Sequence, residues 1–339
     1  MTGHPLPEDA IEVRDAPSLP GMAFRHYRGP EDLQGMSDVF NQSREVDGWG
    51  FFVTPESLGT DLETLSNVNP RECVVLALVD GRIVGYAPFE WVLESSGEYS
   101  FRHRARLLLE HRGHGVRRAM LRHQEARARA VAAGLPPDAP KSLSVFLCGD
   151  ETSLRDLLEE EGYAISRYYY EMLRPLDEPF PDLPVPRGLT VRPPRDEAEY
   201  RRVFDAEMEA SRGSYGFFEP KDNIYTRVRE DPNFTPDLWM VAWDGARPVG
   251  AVRNWIDELE NRESGRLWGY TEDIFVAHDH RRRGLARALI ARSLQLLADR
   301  GMEHANLGVD TQNATGALDL YTGMGYAVYK TYMVYRKVL

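Results

Sequence analysis

The sequence predicts an α/β (α+β) chain of two tandem units built to one plan. Three observations predict it. A proline-dense run at residues 175–186 (PLDEPFPDLPVP) divides the 339 residues near the middle, and prolines at that density reject helix and central strand in favour of an extended connection. The segments on either side repeat one order of strand, helix and Asp-Gly hairpin. In each half a strand-like stretch also turns through glycine into a long amphipathic segment. The expected domains are residues 1–176 and 188–339, with 177–187 as the linker.

In the first half, residues 24–27 read as a strand. Gly29-Pro30-Glu31-Asp32 then opens a helix with Leu33, Met36, Val39 and Phe40 inward. Proline and acidic residues belong in a first helical turn. Residues 74–85 alternate around Asp80-Gly81 as a hairpin does, and an aromatic strand containing Trp91 follows. The turn Arg112-Gly113-His114-Gly115-Val116-Arg117 leads into a helix to about Ala133 and a strand at residues 142–147.

The second half repeats this. Residues 189–192 precede Pro194-Arg195-Asp196 and a helix with Tyr200, Val203, Phe204 and Met208 inward. Residues 238–250 form the matching hairpin around Asp244-Gly245, and Trp255 lies in the strand after it. Residues 271–276 are strand-like and run into Arg281-Arg282-Arg283-Gly284-Leu285-Ala286. Beyond the turn, Leu285, Leu289, Ile290, Leu294 and Leu297 recur at helical spacing and should pack on the sheet. Residues 304–310 alternate as a strand, with Ala305, Leu307 and Val309 on one side facing that helix together with Val276.

The arginine-glycine turn is the most informative feature. The first N–H groups of a helix have no intrahelical partner, and the positive end of its dipole lies at the same point, so a strand–turn–helix junction makes an anion site. Gly284 and Ala286 leave the backbone bare and the arginines add charge, which points to a nucleotide-type ligand. A plain basic turn opening a helix is the alternative. No Gly-x-x-x-x-Gly-Lys-Ser/Thr run occurs, and no Gly-x-Gly-x-x-Gly follows a strand here.

The turn resembles the acyl-CoA site of the GNAT superfamily of N-acetyltransferases, Arg/Gln-x-x-Gly-x-Gly/Ala, with Arg281, Gly284 and Ala286 in its three places. Asn313-Ala314-Thr315-Gly316-Ala317-Leu318-Asp319-Leu320-Tyr321 and Gly323-Met324-Gly325-Tyr326, before a strand at residues 328–336, resemble the closing signature of that family. Among tandem members the chain is distantly similar to mycothiol synthases. The resemblance implies two GNAT-like domains, each a mixed, mainly antiparallel twisted sheet flanked by helices, with the ligand wedged where neighbouring strands part.

It further implies an N-acetyltransferase that takes acetyl-CoA as co-substrate and a small-molecule amine as acceptor. The backbone from Arg282 to Arg287, with Gly284, Leu285 and Ala286, would anchor the diphosphate, helped by Arg281 and Arg283. Ile274, Phe275 and Val276 would pair with pantetheine. Tyr321 is the expected general acid, because a phenol near pKa 10 matches a leaving thiolate; otherwise it packs as an aromatic. Glu272 is preferred to Asp273 as base, alternation sending the two to opposite faces. Asn313 either touches the cofactor or caps the next helix. The acceptor pocket would involve residues 211–225, with Tyr215, Phe217, Phe218 and Tyr225 as walls and Glu207, Glu209 and Glu219 attracting an amine.

The first half departs from the signature. Arg117 stands where a small residue belongs and would project from the turn, residues 151–154 lack the Asn, and Leu158 stands where the second half has Tyr321. An aliphatic group donates no proton, so this half reads as scaffold.

Composition sets the remaining bounds. The net charge of −12 argues against nucleic acid as partner. No apolar run approaches a membrane span, and the acidic N-terminus does not read as a secretory signal. Cys73 and Cys148 lie in apolar stretches without metal spacing, so no metal is expected and a reducing cytoplasm is. The chain would be a monomer or homodimer. The competing reading is a non-catalytic acyl-CoA-binding sensor or scaffold.

Overall fold

A computed structural model of the chain describes residues 7–212, 214–219, 224–231, 233–313 and 316–339. The chain divides into two compact units, one running to Ser166 and completed by Met333–Leu339, the other spanning Arg167–Tyr332. Each is built of mainly antiparallel strands with flanking helices, the expected α/β (α+β) class, although the strands of the first unit fall in two sheets rather than one.

The first unit opens with β1 (Met22–His26) and α1 (Pro30–Ser43). Pro30 sits at the helix start, Glu31 and Asp32 fill the first turn, and Leu33, Met36, Val39 and Phe40 are buried on one face. A capping box between Thr54 and Ser57 starts α2 (Pro55–Thr64), and α3 (Pro70–Cys73) is a single turn. β2 (Val75–Val79) and β3 (Arg82–Ala87) form the expected hairpin, with Asp80 and Gly81 at φ +48° and +82° as a type I′ turn requires. β4 (Phe89–Leu93), β5 (Tyr99–His103), β6 (Arg106–Leu107), α4 (Val116–Ala132), β7 (Lys141–Cys148) and α5 (Thr152–Glu160) follow. β1, β2, β3 and β6 pair antiparallel, β4 pairs antiparallel with β5, and β5 pairs parallel with β7.

The second unit comprises most of β8 (Ala164–Pro175), β9 (Thr190–Arg192), α6 (Glu197–Ser211), α7 (Ile224–Glu230), β10 (Met240–Asp244), β11 (Arg247–Trp255), α8 (Glu258–Ser264), β12 (Trp268–Val276), α9 (Leu285–Asp299), β13 (His304–Asp310), α10 (Ala317–Thr322) and part of β14 (Ala327–Val338). Its strands β8 to β13 run in the order β8, β13, β12, β11, β10, β9, in which β12 pairs parallel with β13 and the other described neighbours pair antiparallel. From Leu176 on, the proline-dense run forms neither helix nor strand, and it packs Phe180 and Leu183 against this unit's core.

Helices cover both faces of that sheet. On one, Leu285, Leu289, Ile290, Leu294 and Leu297 of α9 are buried against Val252, Ala305, Leu307 and Val309, with half-buried Val276 beside them. Burying each large aliphatic side chain contributes about 2 kcal/mol, so this layer fixes where α9 starts. On the other face, Val203 of α6 packs with Trp239, Val241, Trp243, Ala251 and Phe275.

Candidate active site

The turn after β12 leaves its backbone open. Arg282 and Gly284 adopt left-handed conformations, φ +61° and +82°. Gly284 occupies the N-cap of α9 without a side-chain cap, and no acidic residue stands in the first turn. The first bond of the helix runs from Ala288 N–H to the Gly284 carbonyl at 3.1 Å, so the N–H groups of Leu285, Ala286 and Arg287 have no intrahelical acceptor. A Cβ built on Gly284 would meet nothing within 4 Å. Arg282, Arg283 and Arg287 are exposed and form no ion pair among the described residues. In a chain of net charge −12, that is a local positive site.

Arg281 is held against the main chain. Its Nε donates to the Val276 carbonyl at 3.0 Å, and another nitrogen donates to the Ala210 carbonyl at 3.2 Å. The guanidinium thus ties the strand end to α6 and shapes the turn.

β12 and β13 part above the core. Their ladder covers only Trp268–Tyr270 against residues 304–306. β12 stays paired with β11 as far as Val276. Within that pairing Ala251 faces Phe275 and Arg253 faces Glu272, so Val252 alone stands opposite Asp273 and Ile274. This is a β-bulge centred on Asp273, whose φ is +49°. A bulge bends its strand and increases local twist. The edge of β12 that carries Ile274, Phe275 and Val276 is therefore without a ladder to β13. Phe275 is buried against α6, whereas Ile274 and Val276 pack toward α9.

The bulge also breaks the alternation that would have sent Glu272 and Asp273 to opposite faces. The Asp273 carboxylate lies 3.2 Å from Arg253, which bonds Glu207 of α6 at 2.6 Å. Glu272 accepts the Gly308 N–H at 2.8 Å. Burial, with the charges of Asp273 and Glu171 adding to it, pushes the Glu272 carboxyl up to about 8, against the Gly308 hydrogen bond. Glu207 is likewise pushed up to about 8, by burial first and by Asp273 next, with Arg253 opposing.

Tyr321 lies on α10 facing this crease, with its ring tilted at 62° on Tyr326 and centroids 6.1 Å apart. The Tyr326 and Thr271 hydroxyls are 2.7 Å apart. Tyr321 is 8% exposed, and its hydroxyl has no hydrogen-bond partner among the described residues. Burial, then the charge of Glu272, raises its pKa above the ordinary phenol range, so the proton is retained. Gly316 is the N-cap of α10, so Asn313 does not cap it; the Asn313 carbonyl accepts from Gly316 N–H at 3.2 Å. Ala314 and Thr315 lie outside the described residues.

The acceptor segment is described only in part, since Gly213 and residues 220–223 also lie outside. Tyr215 stacks under Arg167, 3.9 Å from its ring centroid, and Arg167 forks onto Asp310. Tyr225 donates to Glu197 at 2.6 Å. Phe217 and Phe218 are half-buried. Glu209 and Glu219 both pair with Arg212, while Glu207 belongs to the bulge. Sequence reasoning missed Arg253, although an arginine inside the apolar run of β11 was a visible anomaly.

The first unit keeps the turn and fills the crease. Gly113 and Gly115 have φ +80° and +83°, with nothing within 4 Å of an added Cβ. Arg112 copies Arg281, its Nε donating to the Leu107 carbonyl at 3.1 Å. Arg117 does not project from the turn as expected. It turns inward, 3.6 Å from Glu151, which also bonds Arg104, while Arg104 stacks 4.4 Å over Trp49. Counting back from the turn, His103 stands where the second unit has Glu272. It is buried and hydrogen-bonds Tyr163 at 2.9 Å, and burial lowers its pKa to about 4. Leu158, at the place of Tyr321, is fully buried.

The Acetyltransferase (GNAT) family profile matches residues 200–326. A mycothiol acetyltransferase of Thermomonospora curvata is 31% identical over 274 residues, covering 78% of this chain and 82% of that protein. One from Thermobispora bispora is 27% identical across 91% of this chain and 97% of its own length. Among solved structures, a GCN5-related N-acetyltransferase from Sphaerobacter thermophilus aligns over 95% of this chain and 96% of its own, with TM-score 0.69 and 24% identity. A tandem GNAT protein from the clavulanic acid biosynthesis pathway aligns over 94% of this chain and 98% of its own, with TM-score 0.66 and 14% identity.

Proposed function

The chain belongs to the acetyltransferase (GNAT) family, and we propose that its second unit is an acetyl-CoA-dependent N-acetyltransferase acting on a primary amine of a small molecule. One observation carries this reading: beyond the uncapped start of α9, β12 leaves its ladder with β13 before Glu272, whose charge acts on the free hydroxyl of Tyr321. The name borne by the relatives makes a mycothiol-type thiol-amine the first acceptor to test.

These residues fit acetyl-CoA, which supplies a thioester whose carbonyl carbon takes the amine. The N–H groups of Leu285, Ala286 and Arg287, with Arg282 and Arg283, would hold the diphosphate. Arg281 keeps that turn in shape. Main-chain groups of Ile274, Phe275 and Val276 would pair with pantetheine, and an N–H of that edge would face the oxyanion. Asn313 would bound the same crease.

Glu272 takes the proton of the ammonium, directly or through a water. The amine nitrogen would then bond to the acetyl carbon and the carbon–sulfur bond would break as Tyr321 gives its proton to the departing sulfur, the second proton of the nitrogen returning through water to the Tyr321 phenolate. A base titrating near 8 is mostly protonated at pH 7, but in its deprotonated form it is far better matched to an amine than an ordinary carboxylate. In the first unit, Leu158 cannot give that proton and Arg104, Trp49 and Glu151 crowd the corner, which supports a scaffold role there. The buried thiols of Cys73 and Cys148, neither of them in a disulfide, support a reducing cytoplasm.

The test is release of CoA from acetyl-CoA with a panel of primary amines, for wild type and Tyr321→Phe. Amine-dependent release that collapses in the variant is expected. Tight acetyl-CoA binding without turnover of any amine would favour the sensor reading instead.

A further inference from the structure

The buried guanidinium behind the bulge has no part in the chemistry above. The geometry points to Arg253 as a positioning residue of the transfer reaction: by joining Glu207 of α6 to Asp273 of β12 it fixes the bulge that opens β12 from β13 and sets Glu272 in place. This role rests on the proposed acetyl transfer in the second unit.

Arg253 is the cross-strand partner of Glu272. Its Nη1 lies 2.6 Å from Glu207 and 3.2 Å from Asp273, and its guanidinium stacks 4.7 Å over Trp239. The Arg253 and Glu207 side chains are only 13% and 10% exposed, so the anchor is rigid, whereas the Asp273 side chain is 44% exposed. Asp273 holds a left-handed conformation inside a strand, one that an L-residue leaves unless its surroundings hold it.

The bulge has a second consequence. It adds one residue to β12 between Glu272 and Phe275. If it relaxed, residues 274–276 would slip by one against β11 and their side chains would swap faces. Ile274 and Val276 would leave the α9 core, and the edge N–H groups would turn from the crease. Charge acts in the same direction. Glu207, Glu272 and Asp273 share this corner, with Glu171 beyond Glu272 and Asp231 near Arg253, and Arg253 supplies the positive charge that acts on Glu207 and Asp273.

The experiment compares Arg253→Met and Arg253→Lys with wild type, measuring kcat with the best amine and, separately, equilibrium binding of CoA. The Met variant should lose about tenfold or more in kcat and be partly rescued by Lys, while its CoA affinity falls by less than kcat does, because the diphosphate turn at residues 282–287 keeps its shape. Should the Met variant not fold, the half-exposed Asp273 carries the test. Asn tolerates the left-handed region and Ala does not, so Asp273→Asn should exceed Asp273→Ala by about tenfold in kcat. Wild-type kcat in Arg253→Met, or equal kcat in the two Asp273 variants, overturns the positioning role while leaving the enzymatic reading intact. A wild-type chain that turns over no amine overturns both.

Discussion

Glu272 of β12 accepts the main-chain N–H of Gly308 of β13 across 2.8 Å, just past the last paired residues of the two strands. The proposed base thus bridges the gap, with its carboxylate held at the floor of the crease and its pKa raised by burial and neighbouring charge.

The pH dependence follows from that. A base with a pKa near 8 works only when deprotonated, so kcat should rise with pH through about 8 and level off above it. Glu272→Gln should remove that limb and lower kcat by about a hundredfold or more. A pH–rate series on both proteins checks this; an unchanged limb in the variant assigns it to another group.

The same shift has a cost in stability. The folded-state pKa of about 8 exceeds the ordinary value of 4.5, so between these the folded chain holds a proton that the unfolded chain releases. Stability therefore falls as pH rises through that window. Glu272→Gln should melt at higher temperature than wild type at pH 9 and show a smaller difference at pH 5. Thermal unfolding at the two pH values reads this directly.

Tyr321→Phe removes one oxygen that makes no hydrogen bond among the described residues and keeps the ring packed on Tyr326. The fold and the affinity for CoA should be preserved, while kcat falls by about a hundredfold. Single-turnover kinetics alongside calorimetric binding separates the two effects.

The glycines of the two turns make a paired test. Gly284 and Gly115 have nearly the same conformation, φ +82° and +83°, and open space beside them. Valine at either should cost about 1–2 kcal/mol of backbone strain. Only Gly284→Val should weaken acetyl-CoA turnover, by about tenfold or more in kcat/KM, with Gly115→Val within about twofold. Equal losses would place chemistry in the first unit too.

The sequence made the duplication visible because helix caps, Asp-Gly turns and the apolar face of α9 are local signals, and each appeared where its residues stand. The arginine-glycine turn was legible for the same reason. Its electrostatics were less so. Arg281 is consumed by two carbonyls, one of them 71 residues away at Ala210, and Arg117 by Glu151; a local pattern carries no account of such partners. The bulge was invisible because residues 271–276 alternate acceptably as a plain strand. Only the pairing with β11 reveals that two residues oppose Val252, and only the tertiary fold brings Glu207 to Arg253.

A crystal structure of the chain with acetyl-CoA tests the central claim most directly. The diphosphate should lie within hydrogen-bonding distance, about 3 Å, of the N–H groups at residues 285–287, with the thioester between the free edge of β12 and the Tyr321 hydroxyl. A diphosphate bound only at residues 113–117, or a thioester pointing away from Tyr321, would contradict the account.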